Sequence, residues 1–388
     1  MPYWRLSGFY FFYFGALGAL IPFWGLYLKN RGFSSAAIGE LMAILMATKI
    51  IAPNIWGWIS DHTGRRMPVV RLASLLATLT FAGVYGVQGF WGLALVMSLF
   101  SFFWNASLPQ LEAVTFSFLG REASRYARIR LWGSIGFILT VTGLGAALDL
   151  IGIETVPAVV LTLFAGIWVV SLAVPEQPPR DLPEGQGSLW AVLRRPEILA
   201  FFAVCFLMQA SHGAYYAFYS IHLENQGYAS GTIGALWALG VVAEVALFLG
   251  MHRVLHRFGA RQVVLASLAL AALRWVLIGG LTDVFWVLVL AQILHAATFG
   301  SFHAAAIYLV HHYFVGRHQV RGQAVYSSAS FGAGGALGSL SAGWMWDGAG
   351  PLATFLVSAA AAALALAVAW RWVDRGPDSA PAVQRPAR

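Results

Sequence analysis

Five ionisable residues lie inside long apolar stretches of the sequence. They are Lys49, Glu112, Arg130, Glu244 and Arg274. An ionisable side chain within an apolar membrane segment is costly and marks a functional site by default, because its charge has to face a partner or water. The three cations outnumber the two carboxylates. If all five face one cavity, its net positive charge predicts an anionic ligand, since a buried cation without a counter-charge is unfavourable.

Three histidines in apolar stretches are candidates for carrying protons, because histidine titrates near neutral pH. They are His212, His295 and His303. The last two are eight residues apart, about 80° around a regular helix, which does not match the i, i+4 spacing of a helical metal pair. The sequence has one cysteine, Cys205, and no Gly-rich phosphate-binding loop. We therefore expect no metal, no cofactor and no ATP-driven pumping, and a proton gradient as the energy source.

An internal repeat relates Lys49 to Glu244. The segment Gly32-Phe33-Ser34 can be laid over Gly227-Tyr228-Ala229, and Gly64 over Gly259, at an offset of 195 residues. The same offset separates Lys49 from Glu244. Equivalent positions in two parallel repeats should face one central axis, near the membrane midplane where such proteins bind their ligands. The two side chains are expected to pair in one state and part in another; the alternative is a static pair that only fixes packing.

The elements that position these residues are predicted to be membrane-spanning helices. The chain has 388 residues, of which 59% are hydrophobic and only 10% charged, too few charges for a soluble surface. Backbone groups in lipid must be bonded internally, so apolar stretches of about 20 residues form helices. We predict spans near 6–28, 36–59, 68–88, 91–119, 130–150, 155–174, 197–223, 231–252, 262–281, 284–313, 322–346 and 351–372.

The predicted fold is therefore an all-α integral membrane protein with twelve transmembrane helices in two pseudo-symmetric six-helix bundles. The N-terminal bundle covers 1–174 and the C-terminal bundle 197–373. The polar stretch 175–196, rich in Pro, Gly and charge, is predicted to be a cytoplasmic linker. Residues 374–388 form a predicted cytoplasmic tail.

The distribution of arginine predicts the orientation. Basic residues gather before the first span and after every even-numbered span, whereas the alternate loops carry mainly acids. Cytoplasmic loops collect Lys and Arg. We therefore predict a multi-pass protein of the cell inner membrane with both termini in the cytoplasm.

The loop after the second span carries a motif. Its sequence is Gly57-Trp58-Ile59-Ser60-Asp61-His62-Thr63-Gly64-Arg65-Arg66. From the residues alone, Gly64 permits a turn and the Arg pair anchors the loop at an anionic interface and sets topology. The motif resembles the signature of the major facilitator superfamily, namely a Gly, an Asp four residues later and then Gly-Arg-Arg. That resemblance implies a conformational latch made by Gly57, Asp61, Gly64, Arg65 and Arg66.

Further segments resemble the lactose-permease-like and 3-phenylpropionate-permease-like proton symporters of that superfamily. They are Leu111-Glu112-Ala113, Arg128-Ile129-Arg130-Leu131-Trp132-Gly133-Ser134, Ala214-Tyr215-Tyr216 and the stretch from Leu236 to Val245. The resemblance implies that Glu112, Arg130 and Glu244 bind substrate and couple protons. It also implies a coupling role for Arg274 and His295, and matches Lys49 to a basic residue of the phenylpropionate permeases.

Two departures from the lactose-permease pattern bear on the chemistry. Thr298 stands where that group has a Glu, so its proton relay cannot simply be copied. Phe137 stands where the lactose-permease pattern has a Trp that stacks on the sugar, which argues against a galactoside substrate. We expect Phe137, Tyr216 and Trp237 to contact substrate, although most aromatic residues of membrane proteins serve packing or the interface.

The sequence thus predicts a monomeric, proton-coupled symporter of a small organic solute, an aromatic monocarboxylate such as a phenylpropionate-like acid. Its partners are the small-molecule substrate, protons and membrane lipid, with no nucleic acid. The alternatives are a symporter of a neutral sugar, oligosaccharide or nucleoside, and an exporter of the same fold. An enzyme would show a nucleophile with its base or convergent metal ligands, and a receptor would have less need of buried titratable groups.

Overall fold

The structure is a computed structural model that describes residues 1–120, 122, 125–177, 189–316 and 318–373. Across these residues the chain is helical and contains no β-strand, so the all-α prediction is confirmed. The predicted tail, 374–388, and residues 178–188 of the predicted linker lie outside the described residues.

The α-helices are numbered in chain order. They are α1 Tyr3–Asn30, α2 Ser35–Thr63, α3 Met67–Ala82, α4 Phe90–Leu119, α5 Tyr126–Ile151, α6 Val156–Ala173, α7 Leu189–Leu193, α8 Pro196–Ser211, α9 Gly213–Asn225, α10 Ser230–Gly280, α11 Phe285–His295, α12 Phe302–Tyr313, α13 His318–Ser327 and α14 Gly335–Trp372. The π-helical segment Ala296–Ser301 joins α11 to α12. A second, Ser328–Gly334, joins α13 to α14.

In the described residues, ten helical runs are long and apolar enough to cross a membrane. Two of them, Ser230–Gly280 and Arg321–Trp372, have 51 and 52 residues, or about 75 Å at the helical rise, whereas a bilayer core is about 30 Å thick. Each run contains one glycine with non-helical backbone angles, Gly259 (φ 75, ψ 156) and Gly350 (φ 83, ψ 167). Only glycine adopts such angles without strain. The chain turns at both points, so these runs supply two spans each and the predicted number of about twelve spans is recovered.

The internal repeat is visible in the backbone. Eight glycines of the described residues have positive φ, and they form four pairs. The pairs are Gly32 with Gly227, Gly64 with Gly259, Gly120 with Gly316, and Gly152 with Gly350, at separations of 195, 195, 196 and 198 residues. Equivalent loops therefore turn in the same way in both repeats, which confirms two pseudo-symmetric bundles.

The helices pack in two groups, α1–α6 and α8–α14. Within the first group α1 packs on α5 and α6, and α3 packs on α4; within the second, α14 packs on α8, α9 and α10. The groups meet where α2 contacts α14 and α5 contacts α10. A Cβ atom on Gly39 would lie 2.6 Å from the Cα atom of Gly343. Small residues thus allow the two groups to approach backbone to backbone, as in other membrane helix pairs.

Candidate functional site

The two helix groups are joined by polar contacts at one end of the bundle. We call this the closed end; it consists of residues 29–35, 149–155, 224–231, 282 and 347–350. Lys29 Nζ lies 2.6 Å from Glu224 Oε2, and these two residues are equivalent in the repeat, since 195 residues separate them. The Ser35 hydroxyl donates to Asp347 Oδ1 at 2.6 Å.

Asp149 completes the closed end by capping a helix of the other group. The helix α2 is capped by its own Ser34, whose Oγ accepts from the Ala37 N–H at 3.3 Å. The equivalent residue before α10 is Ala229, which has no side-chain acceptor. Instead, the Asp149 carboxylate accepts from the backbone N–H groups of Ser230 (3.0 Å) and Gly231 (3.2 Å). A carboxylate at a helix N-terminus is favourable because it satisfies orphan donors and the helix dipole.

Asp149 and Asp347 are themselves repeat equivalents, 198 residues apart like Gly152 and Gly350. Each binds the start of a helix in the opposite group. We therefore expect these contacts to break whenever the closed end opens. Asp149→Asn should raise the population open at this end about tenfold, because a hydrogen bond to a charged group contributes about 1.5–3 kcal/mol.

Distances between spin labels at exposed Gln88 and Asp283, in a Cys205→Ser background, would measure that shift. The matched control is Glu154→Gln, because Glu154 bonds Asn30 of its own helix group at 2.7 Å. If Asp149→Asn leaves the distance distribution as it is in the control, the closing role of Asp149 is wrong.

The opposite end carries the basic loops, and the groups part there. We call it the basic end; it consists of residues 61–66, 120–126, 253–261 and 313–316. Two arginines described at this end bond within their own group: Arg66 with Asp61 at 3.8 Å, and the Arg261 guanidinium with the carbonyls of Trp370 and Val373 at 3.0 Å. Lys49, Glu112, Arg130 and Glu244 are partly exposed although they lie within the helices, from which we infer a central gap between the groups that opens toward the basic end.

The wall of the gap formed by α2, α4 and α5 carries Lys49, Glu112 and Arg130, each partly exposed. Lys49 lies in the middle of α2, whereas Glu112 and Arg130 lie closer to the basic end. Glu112 Oε1 accepts a hydrogen bond from the Tyr126 hydroxyl at 2.9 Å. The Arg130 guanidinium lies over the ring of Phe14, 3.6 Å from its centroid. Lys49 Nζ contacts the sulfur of Met46 at 3.6 Å. Among the described residues, no carboxylate comes within 4.0 Å of Lys49 or Arg130.

The facing wall is formed by α10 to α13. Glu244 Oε2 lies 3.9 Å from His295 Nε2, and its chain packs on Gly300, where a Cβ atom would be 2.9 Å from the Glu244 Cγ. Arg130 is close enough for its charge to act on both Glu244 and His303 across the gap. Lys49 and Glu244 are not paired in this conformation. The charge of Arg130 on one wall therefore reaches two titratable groups on the other, while the shared axis predicted for Lys49 and Glu244 stays a prediction.

The ring of Phe299 connects His295 to His303 on the facing wall. The His295 and Phe299 rings are stacked at 5.3 Å and 7°, and the Phe299 and His303 rings at 6.2 Å and 10°. The π-helical segment Ala296–Ser301 lies between them. His303 Nδ1 is also 2.9 Å from the Tyr326 hydroxyl. The described residues contain no cluster of three potential metal ligands.

Arg274 lies behind this wall and is fully buried. Its Nε donates to the carbonyl of Ala291 at 2.8 Å and its Nη1 to Thr298 Oγ1 at 3.3 Å. The rings of Tyr215 and Trp275 lie 4.3 and 4.7 Å from the guanidinium carbon. Thr298 stands where the lactose-permease pattern has a Glu, so at this position a neutral hydroxyl accepts a hydrogen bond from the guanidinium. No carboxylate of the described chain lies within 4.0 Å of it.

The remaining predicted site residues differ in how far their side chains are exposed. Tyr216 is partly exposed. His212 is fully buried at the α8–α9 junction, with Nδ1 2.8 Å from the carbonyl of Met208. Trp237 is buried too, its Nε1 donating to Ser220 Oγ at 3.0 Å, and Phe137 is 8% exposed in the core. In this conformation, Tyr216 is therefore better placed to meet a solute than Phe137 or Trp237.

The loop motif lies at the basic end. Gly64 takes the left-handed conformation that ends α2, Asp61 is 73% exposed and Arg65 is exposed. Gly57 lies on α2, where an added Cβ atom would be 3.8 Å from Gln110 Nε2. Among the described residues Asp61 pairs with Arg66 of its own group, with no described ion pair across the groups, and the latch stays a prediction.

Sequence reasoning missed several residues of the site. Glu176 caps α3, accepting from the N–H groups of Arg66 at 3.2 Å and Met67 at 3.0 Å. Tyr126, Phe14 and Tyr326 contact the predicted residues directly. Only Tyr126 carried a usable signal, because it lies four residues before Arg130 and so shares its face of the helix.

The two-bundle fold and the mid-membrane charged gap define a polytopic transporter of the alternating-access kind. The chain matches the MFS_1-like family over residues 3–357 and belongs to that family. It is 31% identical over 350 residues to the probable 3-phenylpropionic acid transporter of Escherichia coli (strain K12), covering 87% of this chain and 89% of that protein. It is 28% identical over 276 residues to the maltose permease of Geobacillus stearothermophilus, covering 69% and 68%.

Among solved structures, a variant of the nucleoside transporter NupG superposes with a TM-score of 0.84 at 19% identity, covering 95% of this chain and 99% of that chain. This likeness confirms the fold. The family and these relatives make the protein a multi-pass membrane transporter of a small molecule and not an enzyme.

Proposed function

We propose that this transporter is a proton-coupled symporter that takes up an aromatic monocarboxylate of the phenylpropionate type. The observation that carries the proposal is the pair of cations on one wall of the gap. Lys49 lies in the middle of α2 and Arg130 in the second turn of α5, both partly exposed, with no described carboxylate within 4.0 Å. Cations at this depth are retained for function, and a substrate carboxylate would supply the counter-charge that the protein does not.

The facing wall suits the rest of such a substrate and its coupled proton. Tyr216 and the stacked ring of Phe299 offer aromatic surface near Glu244. Glu244 is the group we assign to the coupled proton, because a carboxyl in a changing electrostatic environment binds and releases a proton as nearby cations move. The relative described as a 3-phenylpropionic acid transporter supports the same substrate class.

The arginine distribution supports an orientation in the inner membrane in which the basic end faces the cytoplasm. In that orientation the present conformation is open to the cytoplasm. We propose that a single chain is the working unit, because the gap is built within one chain. The latch of Gly57, Asp61, Gly64, Arg65 and Arg66 would then engage when the basic end closes.

A neutral polyhydroxylated solute is the second candidate. The maltose permease and NupG relatives favour it, as does Glu112, whose carboxylate is an acceptor for hydroxyl groups. Export of a solute by the same fold would reverse the direction of transport without changing these contacts.

Uptake into proteoliposomes distinguishes these functions. We expect labelled 3-phenylpropionate, but not labelled maltose or uridine, to accumulate when the outside is acidic, and a protonophore to abolish the accumulation. Empty liposomes provide the control, because a weak acid also crosses lipid in its neutral form. Gradient-driven accumulation of maltose or uridine, with acid uptake equal to that of empty liposomes, would overturn the proposal.

A further inference from the structure

Glu112 has a bonding partner in this structure that the sequence analysis did not include among the site residues. Its carboxylate Oε1 accepts a hydrogen bond from the Tyr126 hydroxyl at 2.9 Å. Glu112 belongs to the last third of α4, and Tyr126 is the first residue of α5. The bond therefore joins the two helices that carry Glu112 and Arg130 at the basic end of the gap.

Contacts with two other aromatic residues fix the orientation of Tyr126. Its ring is stacked on Phe116 at 4.6 Å and 22°, and the ring of Tyr10 meets it edge-on at 6.2 Å and 83°. The Tyr10 hydroxyl donates in turn to Thr115 Oγ1 at 3.4 Å. Packing against α1 and α4 thus presents the Tyr126 hydroxyl to the carboxylate, and little rotamer freedom has to be lost to form the bond.

Arg130 lies one helical turn after Tyr126, on the same face of α5. Its guanidinium is directed toward the Phe14 ring, 3.6 Å from the centroid, and occupies the space over Gly133, where a Cβ atom would lie 2.7 Å from Nη1. Arg130 and Glu112 are near enough to interact electrostatically, yet no salt bridge within 4.0 Å joins them. Two donors on one face of α5 thus lie near a single carboxylate, and the Tyr126 hydroxyl is the one that bonds it.

We propose that Tyr126 is a positioning residue that determines substrate specificity. By holding the Glu112 carboxylate, it prevents Glu112 from pairing with Arg130, and so leaves the guanidinium for the carboxylate of the substrate. A closed Glu–Arg pair would be neutral overall and would suit the hydroxyl groups of an uncharged solute, since it offers both donors and acceptors. The inference rests on the proposed function, because it requires an anionic substrate.

The substitution that tests it is Tyr126→Phe, which keeps the ring contacts and removes the hydroxyl. Purified protein would be titrated with 3-phenylpropionate and with its neutral amide, 3-phenylpropionamide, and the dissociation constants compared. In Tyr126→Phe, Glu112 is released to pair with Arg130, and the substrate carboxylate loses its charge-assisted hydrogen bond with that guanidinium. We therefore expect the Kd of the acid to rise about tenfold, while the Kd of the amide is unchanged. Adding Glu112→Gln should restore acid binding, because a neutral Gln cannot neutralise Arg130.

The matched control is Tyr228→Phe, which removes a hydroxyl that donates to the carbonyl of Thr282 at the closed end, at 3.0 Å. A purely structural role for Tyr126 would weaken acid and amide alike and would not be rescued by Glu112→Gln. If wild-type protein prefers the acid and Tyr126→Phe keeps the same acid-to-amide ratio, the inference alone is overturned. If wild-type protein binds both compounds equally, both the proposed function and the inference that rests on it are wrong.

Discussion

Glu244→Gln is expected to retain solute binding and counterflow exchange while losing accumulation driven by a proton gradient. The amide has nearly the shape of the protonated carboxyl but cannot release a proton. In the structure Glu244 faces His295 at 3.9 Å and is exposed by 18%, so it has both a titratable neighbour and access to the gap. A carrier whose coupling group is permanently neutral can still exchange solute for solute across the membrane, but it has no step that consumes the gradient.

Counterflow of labelled solute and accumulation under an imposed pH gradient would be measured on the same proteoliposomes. The control is Glu122→Gln, because Glu122 lies exposed in a loop and pairs with Arg125 at 2.8 Å. Full accumulation by Glu244→Gln would eliminate this residue as the coupling group. The histidines would then be tested in the order that the structure gives: His303 and His295 line the wall, whereas His212 is fully buried at a helix junction.

Arg130→Gln and Lys49→Gln are each expected to raise the Kd of the acid strongly. Each removes a cation that has no described carboxylate within 4.0 Å, so each should remove a direct partner of the substrate carboxylate. A hydrogen bond to a charged group contributes about 1.5–3 kcal/mol, which corresponds to a rise in Kd of about 10- to 100-fold. Binding of the neutral amide should change little, because the amide has no charge for these cations to stabilise.

Arg128→Gln is the matched control for Arg130→Gln. It removes a guanidinium from the same helix, two residues away on an exposed surface. Arg130→Lys retains the charge but not the forked geometry, and should fall between wild type and Gln. Unchanged binding of the acid in both Arg130→Gln and Lys49→Gln would refute the carboxylate clamp and favour the neutral-solute alternative.

The sequence by itself determined the kind of protein and the placement of its rare charges. Apolar stretches must become helices in lipid, so the predicted spans near 36–59 and 284–313 are seen as Ser35–Thr63 and Phe285–Tyr313. The repeat offset of 195 residues put Lys49 and Glu244 at equivalent positions before any contact was known. It also placed Gly64 on Gly259, and both have positive φ. These features follow from local chain physics and from duplication, and both leave a periodic record in the sequence.

The tertiary structure alone decided which partner each charge has. Glu112 is held by Tyr126 and not by Arg130, and Arg274 is packed between Tyr215 and Trp275 with Thr298 at its guanidinium. The π-helical turn that stacks His295, Phe299 and His303 breaks the 3.6-residue period on which helical spacing arguments depend. Several such partners come from helices distant in sequence. Their contacts depend on how the helices cross and on which end of the bundle is closed, and a linear pattern of residue types records neither.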